Sequence, residues 1–386
     1  MTNFIISRIQ NNAAHIQVSA LLAAVLLVGA NAFVLSPILT EVASDLATDP
    51  YRISWSISTF GASTAISALV LAGLIDQISA GRILGGAAAF LALAQAASAA
   101  SQSWLWLAAA QAAAGGATGI LLPGTYATAA ATAPKGREAG RMGVVLTGWA
   151  VSLVIAVPLA ALVADRFNWR SVYILLAILS IMVATLLTVA LRDVQSGCTV
   201  RTPPWRALHL PGVSPLLLVM FFYMTAFYGS YAFFGEGVRS AFDLSTELTG
   251  LYVLGYGLGF GLAGIVLGIA APRISRGYTI TVLIAIVISY SCWRFALQTA
   301  MFAFIASVIW GLLNQLGLNA LVVSLNQRAA AAQGAVMGLN SAVTYLAVFA
   351  GPLVMGPLYL DAGFPAVSTL AAVFVTVGVL VSWRIR

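Results

Sequence analysis

Charged side chains are scarce in this chain: aspartate, glutamate, lysine and arginine together make up 8% of its 386 residues. Hydrophobic residues account for 61%, and the mean hydropathy is +0.98. A water-soluble fold of this length needs more polar side chains to cover its surface, so the composition excludes a soluble protein. It predicts instead a protein that crosses the lipid bilayer many times.

Cysteine and histidine are also nearly absent, which excludes several kinds of site. Cys198 and Cys292 fall in a predicted cytoplasmic loop and a predicted span, so no disulfide framework is expected. Two histidines, His15 and His209, make a catalytic triad or a histidine-rich metal site hard to build. The glycines of residues 255–264 lie in an apolar stretch without a following Lys-Ser or Lys-Thr pair, so they form no nucleotide loop. We therefore expect no enzyme activity, no metal, no cofactor and no direct use of ATP.

What the chain does have is a series of long apolar stretches. A hydrocarbon core about 30 Å thick is crossed by roughly 20 apolar residues of helix. Backbone polar groups find no water in lipid, so such stretches must be helical. We predict an all-α membrane protein with twelve transmembrane helices, at residues 17–38, 53–75, 83–101, 104–131, 142–164, 171–191, 214–235, 248–271, 278–297, 300–324, 334–358 and 363–383.

The basic residues are unevenly divided between the two ends of these spans. Of the 18 lysines and arginines, thirteen lie on the side that also carries the termini and five lie on the other side. Basic residues are enriched in cytoplasmic loops, so we predict that both termini are cytoplasmic. The net charge of +7 is explained by this orientation signal, and without a basic run it does not indicate nucleic-acid binding.

The longest polar interval divides the chain into two halves. Residues 193–212 are predicted to be a cytoplasmic linker between a bundle of six helices in residues 1–192 and a second bundle of six in residues 213–386. The pattern Ile-Ser-x-Gly occurs at Ile78–Gly81 and at Ile274–Gly277, each time in the cytoplasmic turn after the second helix of its half. Duplicated halves with a binding site between them are common among secondary transporters.

Three segments resemble the major facilitator superfamily, and within it the twelve-span drug:proton antiporters and sugar-efflux transporters. They are Asn31–Leu46, the turn with Asp76, Gly81 and Arg82, which is similar to the signature G-x-x-x-D-x-x-G-R, and Val157–Arg170. The resemblance implies a secondary transporter that works by alternating access as a monomer. It also implies protons as the coupling ion, a small organic molecule as the exported substrate, and the inner membrane of a bacterium as the location.

The same resemblance implies a gate on the cytoplasmic side, formed by Asp76, Gly81, Arg82, Arg137 and Arg141. Asp76 lies where the second span meets the cytoplasm, close to the positive N-terminal end of the third helix, which stabilises a carboxylate. We expect it to pair with Arg137 or Arg141 and to hold this side closed when the transporter faces outward. The alternative is a solvated charge that only orients the chain.

Seven side chains are predicted to line a central cavity, because the family builds its cavity from the first, fourth, seventh and tenth helices. They are Asn31, Gln111, Tyr228, Tyr231, Trp310, Asn314 and Gln315. Amides buried in lipid need partners, so the same amides could instead join helices to one another. Aromatic side chains in the seventh span could likewise contact lipid.

Glu236 is the candidate for proton coupling, because an ionisable group inside a membrane helix is expensive and usually functional. It lies near the outer end of the seventh span and could alternatively sit in water beside Arg239. Proline removes a backbone donor and loosens a helix. The predicted flexible points are Pro158, Gly351, Pro352 and Pro357.

Two other functions remain open. A nutrient importer or an uncoupled facilitator on the same fold is favoured by the small number of acids within the spans. Gln111 stands where the group's fourth span carries an arginine, and Asn31 stands where some relatives carry an acid. A membrane sensor or an intramembrane enzyme is the second alternative, although no Ser/His, His/Asp or paired-carboxylate set converges in the spans.

Overall fold

The computed structural model describes residues 2–70, 78–134, 137–192, 194, 208–270, 273–328 and 333–384. Within these ranges the chain is helical apart from short turns, and it contains no strand. In chain order the helices are α1 (Thr2–Phe33), α2 (Leu35–Asp45), α3 (Pro50–Val70), α4 (Ala80–Ala99), α5 (Trp104–Ala131), α6 (Glu138–Val151), α7 (Val157–Arg166), α8 (Trp169–Ala190), α9 (Val213–Phe242), α10 (Thr246–Ala270), α11 (Arg276–Ala296), α12 (Ala300–Arg328) and α13 (Gln333–Arg384).

The number of membrane crossings agrees with the prediction. Eleven described helical stretches are long and apolar enough to cross a bilayer. The last of them, Val336–Arg384, has 49 residues, and Gly363 with a φ of +70° bends it into two arms. Glycine adopts this left-handed conformation readily because it has no Cβ. The two arms correspond to the eleventh and twelfth predicted spans, so the prediction of an all-α membrane protein is confirmed.

Proline lies close to three helix interruptions, including the bend in α13, where Pro365 follows Gly363 by two residues. The fifth predicted span consists of α6, a π-helical turn at Ser152–Ala156, and α7, with Pro158 in the first turn of α7. The first span is likewise divided at Val34, just before the α2 turn that contains Pro37. By contrast, α13 runs through Pro352 and Pro357 with helical backbone angles, and its non-helical residue is Gly363.

By chain order we divide the helices into an N-terminal group (α1–α8) and a C-terminal group (α9–α13). Within the first group, α3 lies against α5 and α4 lies against α8; within the second, α9 lies against α13 and α10 against α12. The groups meet where α2 contacts α9, where α3 contacts α13, and where the π-helical turn and α7 contact α10. Most of the linker predicted at 193–212 lies outside the described residues, so the proposed halves remain a prediction.

Glycines let α10 and α12 approach closely. A Cβ on Gly311 would collide with the Tyr256 carbonyl oxygen, and a Cβ on Gly259 would collide with the Val308 carbonyl oxygen. Small residues at such crossings allow helix backbones to pack tightly in lipid, where no hydrophobic force brings helices together. The glycine-rich part of α10 is therefore a packing surface.

Candidate functional site

A chain of hydrogen bonds between buried polar side chains runs through the N-terminal group. The Asn31 amide donates to Gln111 Oε1 at 3.0 Å, and the Gln95 amide donates to Asn31 Oδ1 at 3.3 Å. Gln111 Nε2 donates to Ser98 Oγ at 3.0 Å, and Ser180 Oγ donates to Gln95 Oε1 at 2.7 Å. These bonds join α1, α4, α5 and α8. We call the five residues the amide relay.

The amide relay is closed to its surroundings. Asn31 and Gln111 are each 2% exposed, and Gln95, Ser98 and Ser180 are fully buried. The oxygen or nitrogen of each amide forms a hydrogen bond with another member of the relay. Buried polar groups need such partners where no water is available. The sequence predicts that Asn31 and Gln111 face the cavity. In the structure their side chains form hydrogen bonds that join α1, α4 and α5.

In the C-terminal group, the buried amide of Asn314 is surrounded by aromatic rings. Asn314 Nδ2 donates to Tyr256 Oη at 3.0 Å, and Tyr223 Oη donates to the Asn314 carbonyl oxygen at 2.6 Å. Trp310 lies one turn before Asn314 on the same face of α12, and its ring centroid is 4.9 Å from that of Tyr256. Ser230 Oγ bonds to Tyr290 Oη at 3.2 Å. The rings of Phe234, Tyr290 and Trp293 pack around Trp310 with centroid distances of 5.3, 5.7 and 5.9 Å.

A second set of aromatic rings lies where the two groups meet, and we call it the aromatic junction. Its members are Phe33, Tyr126, Trp149, Phe227, Tyr228, Tyr231 and Tyr345. Phe33 of α1 lies 5.0 Å from Tyr231 and 6.2 Å from Tyr228, both on α9. On the N-terminal side, Trp149 Nε1 donates to Tyr126 Oη at 2.8 Å. On the C-terminal side, Tyr345 of α13 lies within electrostatic reach of Tyr228 and Tyr126.

Accessibility distinguishes two parts of the aromatic junction. Phe33, Phe227 and Tyr231 are buried, whereas Tyr126, Trp149, Tyr228 and Tyr345 are only partly buried. Tyr231 also has a buried hydroxyl without a partner among the described residues. Aromatic rings with polar edges, partly buried between two helix groups, suit an amphipathic organic molecule.

The remaining predicted site residues lie apart from this junction. Gln315 is partly buried and faces α10, with its Nε2 near Gly264, and its Oε1 has no partner among the described residues. Glu236 is partly buried near the end of α9, and its Oε2 likewise lacks a described partner. Arg239, its expected partner, lies within reach of Glu236 but forms its ion pair with Glu41 at 3.8 Å.

Polar contacts join the two groups at the end of the bundle that the charge bias predicts to be outside. Thr246, the first residue of α10, is fully buried; its backbone N–H donates to Asp165 Oδ1 at 3.1 Å and its hydroxyl to Glu41. Arg239 Nη1 donates to Thr246 Oγ1 at 3.1 Å. We call these four residues the outer latch. Deeper in the bundle, Ser36 Oγ donates to the Tyr231 carbonyl oxygen.

At the opposite end, the predicted cytoplasmic gate is only partly described. Asp76 lies outside the described residues, so its pairing stays a prediction. The Arg141 guanidinium donates to the carbonyl oxygen of Thr132, the residue that caps the C-terminus of α5, and Arg137 is exposed. Gly81 packs so closely on the end of α8 that a Cβ would lie 2.9 Å from the Leu191 carbonyl carbon.

Several residues of the site were not predicted from the sequence. Gln95 lies in an apolar span just as Gln111 does, so the rule that selected Gln111 applies equally to it. Phe33 and Trp149 carry no comparable signal, because a single aromatic residue in a membrane helix is compatible with lipid contact. Among the described residues, no group of three or more His, Cys, Asp or Glu side chains could hold a metal ion.

Comparison with known proteins agrees with this architecture. The family model of the Major Facilitator Superfamily matches residues 21–352. The chain is 28% identical over 380 residues to the MFS-type transporter YwfA of Bacillus subtilis (strain 168), which covers 94% of this chain and 90% of that protein. It is 22% identical over 238 residues to the MFS-type transporter YceJ of the same organism, which covers 60% of each protein.

The fold is also similar to two crystal structures of a bacterial homologue of the human lysosomal transporter Spinster, both inward-facing. The unoccupied form has a TM-score of 0.72 and covers 97% of this chain and 98% of that chain. The occupied form has a TM-score of 0.77 and covers 95% of each. The sequence identity is 15% in both cases, so this similarity concerns the fold alone.

Proposed function

The chain belongs to the major facilitator superfamily, and we propose from this premise that it is a secondary active transporter that exports a small amphipathic organic molecule by alternating access. Members of this family move small molecules across membranes and are not enzymes. The chain is an integral membrane protein, consistent with its many apolar helices. We propose the inner membrane of a bacterium as its location, with both termini in the cytoplasm, because of the distribution of basic residues.

The aromatic junction is the proposed substrate site. The observation that carries this proposal is the partly buried set of Tyr126, Trp149, Tyr228 and Tyr345, which both helix groups contribute. These residues carry no charge, so the site favours a neutral molecule with a flat apolar part and a few polar atoms. Of the residues predicted from the sequence, Tyr228 and Tyr231 are part of this proposed site. Asn31 and Gln111 support its N-terminal wall, and Trp310 and Asn314 support its C-terminal wall.

The outer latch supports a state in which this site is closed to the outside. Its four residues come from both groups, so they must separate when the groups rock apart at that end. We propose that Asp76, Gly81, Arg82, Arg137 and Arg141 act as the corresponding gate on the cytoplasmic side. The proposed bending points are the π-helical turn next to Pro158 in the N-terminal group and the segment of Gly351, Pro352 and Pro357 in the C-terminal group.

We propose Glu236 as the proton-coupling residue. Its carboxylate lies close to the outer latch, within reach of Arg239, and one of its oxygens is buried without a described partner. Gain or loss of a proton there would change the electrostatic environment of Arg239, which also holds Glu41. Proton coupling through Glu236 distinguishes this proposal from an uncoupled facilitator on the same fold.

A ligand screen followed by a flux assay tests the proposed site. A panel of neutral aromatic metabolites and drugs is added to the purified protein, and a ligand of the folded state raises the apparent melting temperature. We expect Tyr228→Ala to abolish this stabilisation, and Tyr278→Ala on α11 to preserve it. If both variants respond to the same compounds as the unchanged protein, the aromatic junction is not the binding site.

Proton coupling is tested with the same compounds in sealed proteoliposomes. An imposed pH gradient should drive accumulation by the unchanged protein. Glu236→Gln should lose this response and keep counterflow, in which labelled substrate exchanges without a gradient. Gradient-driven accumulation that persists in Glu236→Gln would contradict coupling through Glu236, and absence of any gradient response in the unchanged protein would favour the uncoupled facilitator.

A further inference from the structure

Two grooves on the outer surface of the N-terminal group flank α4. The first lies between α3, α4 and α5, has a volume of about 440 Å³, and is lined among others by Ile66, Val70, Gly86, Phe90 and Ile120. The second lies between α4 and α8, has a similar volume of about 440 Å³, and is lined among others by Gly85, Gly86, Ile181 and Val189. Gly86 lines both grooves, so they are separated only by the width of α4.

Both grooves are apolar and face the lipid. Ile66, Val70 and Val189 are 63%, 71% and 66% exposed on the surface of the bundle. Four hydroxyl groups line the grooves, and those of Ser67, Thr185 and Thr188 donate to the carbonyl oxygens of Gly116, Ile181 and Ala184 at 2.6, 3.0 and 2.8 Å. The grooves therefore suit hydrocarbon chains and offer little to a polar ligand.

A positive charge stands at the common end of the grooves. Arg82 lies one turn before Gly86 on the same face of α4, about 6 Å along the helix axis. Its side chain is exposed, and no described residue pairs with its guanidinium. The N-terminus of α4 at Ala80 adds a positive helix end.

We infer that an anionic glycerophospholipid binds astride α4, with its phosphate on Arg82 and one acyl chain in each groove. One headgroup with two hydrocarbon chains matches one charged end from which two apolar grooves diverge. Basic sites between membrane helices on the cytoplasmic side recognise anionic headgroups by the same physics. The inference concerns the lipid-facing surface and does not depend on the proposed substrate or direction of transport.

Native mass spectrometry of the purified full-length protein tests the role of the charge. After incubation with phosphatidylglycerol or phosphatidylcholine, the unchanged protein should retain more phosphatidylglycerol, and Arg82→Ala should reduce its retention about fivefold, the effect of one basic residue at a membrane surface. The matched control is Arg276→Ala at the start of α11, where the guanidinium donates to the Trp383 carbonyl oxygen. Equal retention by Arg82→Ala and the unchanged protein would overturn the inference, as would an equal loss in Arg276→Ala.

A second variant tests the grooves without touching the charge. A Cβ at Gly86 meets nothing within 4 Å, so Gly86→Leu should fold normally and fill the space where the grooves meet. Gly268→Leu on α10 is the control, because its Cβ also meets nothing within 4 Å. We expect Gly86→Leu, and not Gly268→Leu, to lose phosphatidylglycerol, and single-chain lysophosphatidylglycerol to be retained less than the two-chain lipid. Equal retention of the single-chain and the two-chain lipid would exclude the two-groove site. So would equal retention of phosphatidylglycerol by Gly86→Leu and Gly268→Leu.

Discussion

Inside the N-terminal group, α1, α4, α5 and α8 are joined by side-chain hydrogen bonds between amides and hydroxyls. Inside the C-terminal group, α9 to α13 are joined mainly by aromatic rings, with Asn314 as the buried amide held between Tyr223 and Tyr256. Both arrangements occupy the interior of a bundle whose outer surface is lipid-facing. The amide relay fixes helix positions by the direction and length of hydrogen bonds. The rings around Trp310 and Asn314, which we call the ring cluster, fix them by shape and volume.

This difference shows that helices can be held together in a membrane by two kinds of interaction. Lipid provides no hydrophobic force between helices, so association depends on close packing and on polar groups that have no other partner. The amide relay should therefore respond to loss of a single hydrogen-bonding group. The ring cluster should respond to loss of volume, and much less to loss of a hydroxyl.

The largest effect is expected from Trp310→Ala. Trp310 is fully buried and contacts rings from α9, α10 and α11, so truncation leaves a cavity that costs about 3–5 kcal/mol. The free energy of unfolding in mixed detergent micelles measures this cost. Trp383→Ala, at a position that is 57% exposed, is the control and should be nearly neutral. A similar small effect in both variants would show that the C-terminal interior is not held by packing.

The next effect is expected from Gln95→Leu in the amide relay. The change keeps a similar side-chain volume but leaves the Ser180 hydroxyl and the Asn31 side-chain oxygen unpaired, which costs about 1–3 kcal/mol. The same unfolding measurement applies, with the exposed Gln298→Leu as control. A loss in Gln298→Leu as large as that in Gln95→Leu would mean that the relay contributes nothing specific.

A smaller effect is expected from Asn314→Leu. Tyr223 keeps the Asn314 backbone carbonyl as acceptor, so mainly the Tyr256 hydroxyl loses its partner, at a cost of about 1 kcal/mol. Adding Tyr256→Phe removes that unpaired hydroxyl and should recover part of the stability. A double variant that is less stable than Asn314→Leu alone would argue against a pairwise interaction.

The smallest effect is expected at the predicted outer end, from Glu247→Gln. Glu247 pairs with Arg166 at 3.5 Å, and both side chains are largely exposed, so the pair contributes less than about 1 kcal/mol. Thr246→Val is the more informative comparison, because Thr246 is buried and joins Glu41 and Arg239. If Glu247→Gln and Thr246→Val have equal effects on unfolding or on transport, the outer latch contributes no more than an exposed ion pair.

The fold is largely predictable because each membrane helix is indicated by the length and hydropathy of its own segment of sequence. The site was predictable only in part. Tyr228, Tyr231 and Asn314 were selected from their type and position, and the structure places them inside the bundle. Phe33 and Trp149 were not selected, because their role depends on meeting α9 and Tyr126 across the molecule. The bend of α13 lies at Gly363, where φ is positive and where the twelfth predicted span begins, whereas the flexible points at Gly351, Pro352 and Pro357 stay a prediction.

The sequence by itself determined that the chain lies in lipid, how many times it crosses, and which end of each crossing carries the positive charge, since all three depend on composition within one segment. Only the tertiary structure decided which polar groups satisfy one another. Asn31 meets Gln111 across 80 residues of sequence, and Ser36 meets Tyr231 across 195. A buried amide in lipid must have a partner, but its choice of partner depends on how the helices cross, and that is a property of the packed bundle.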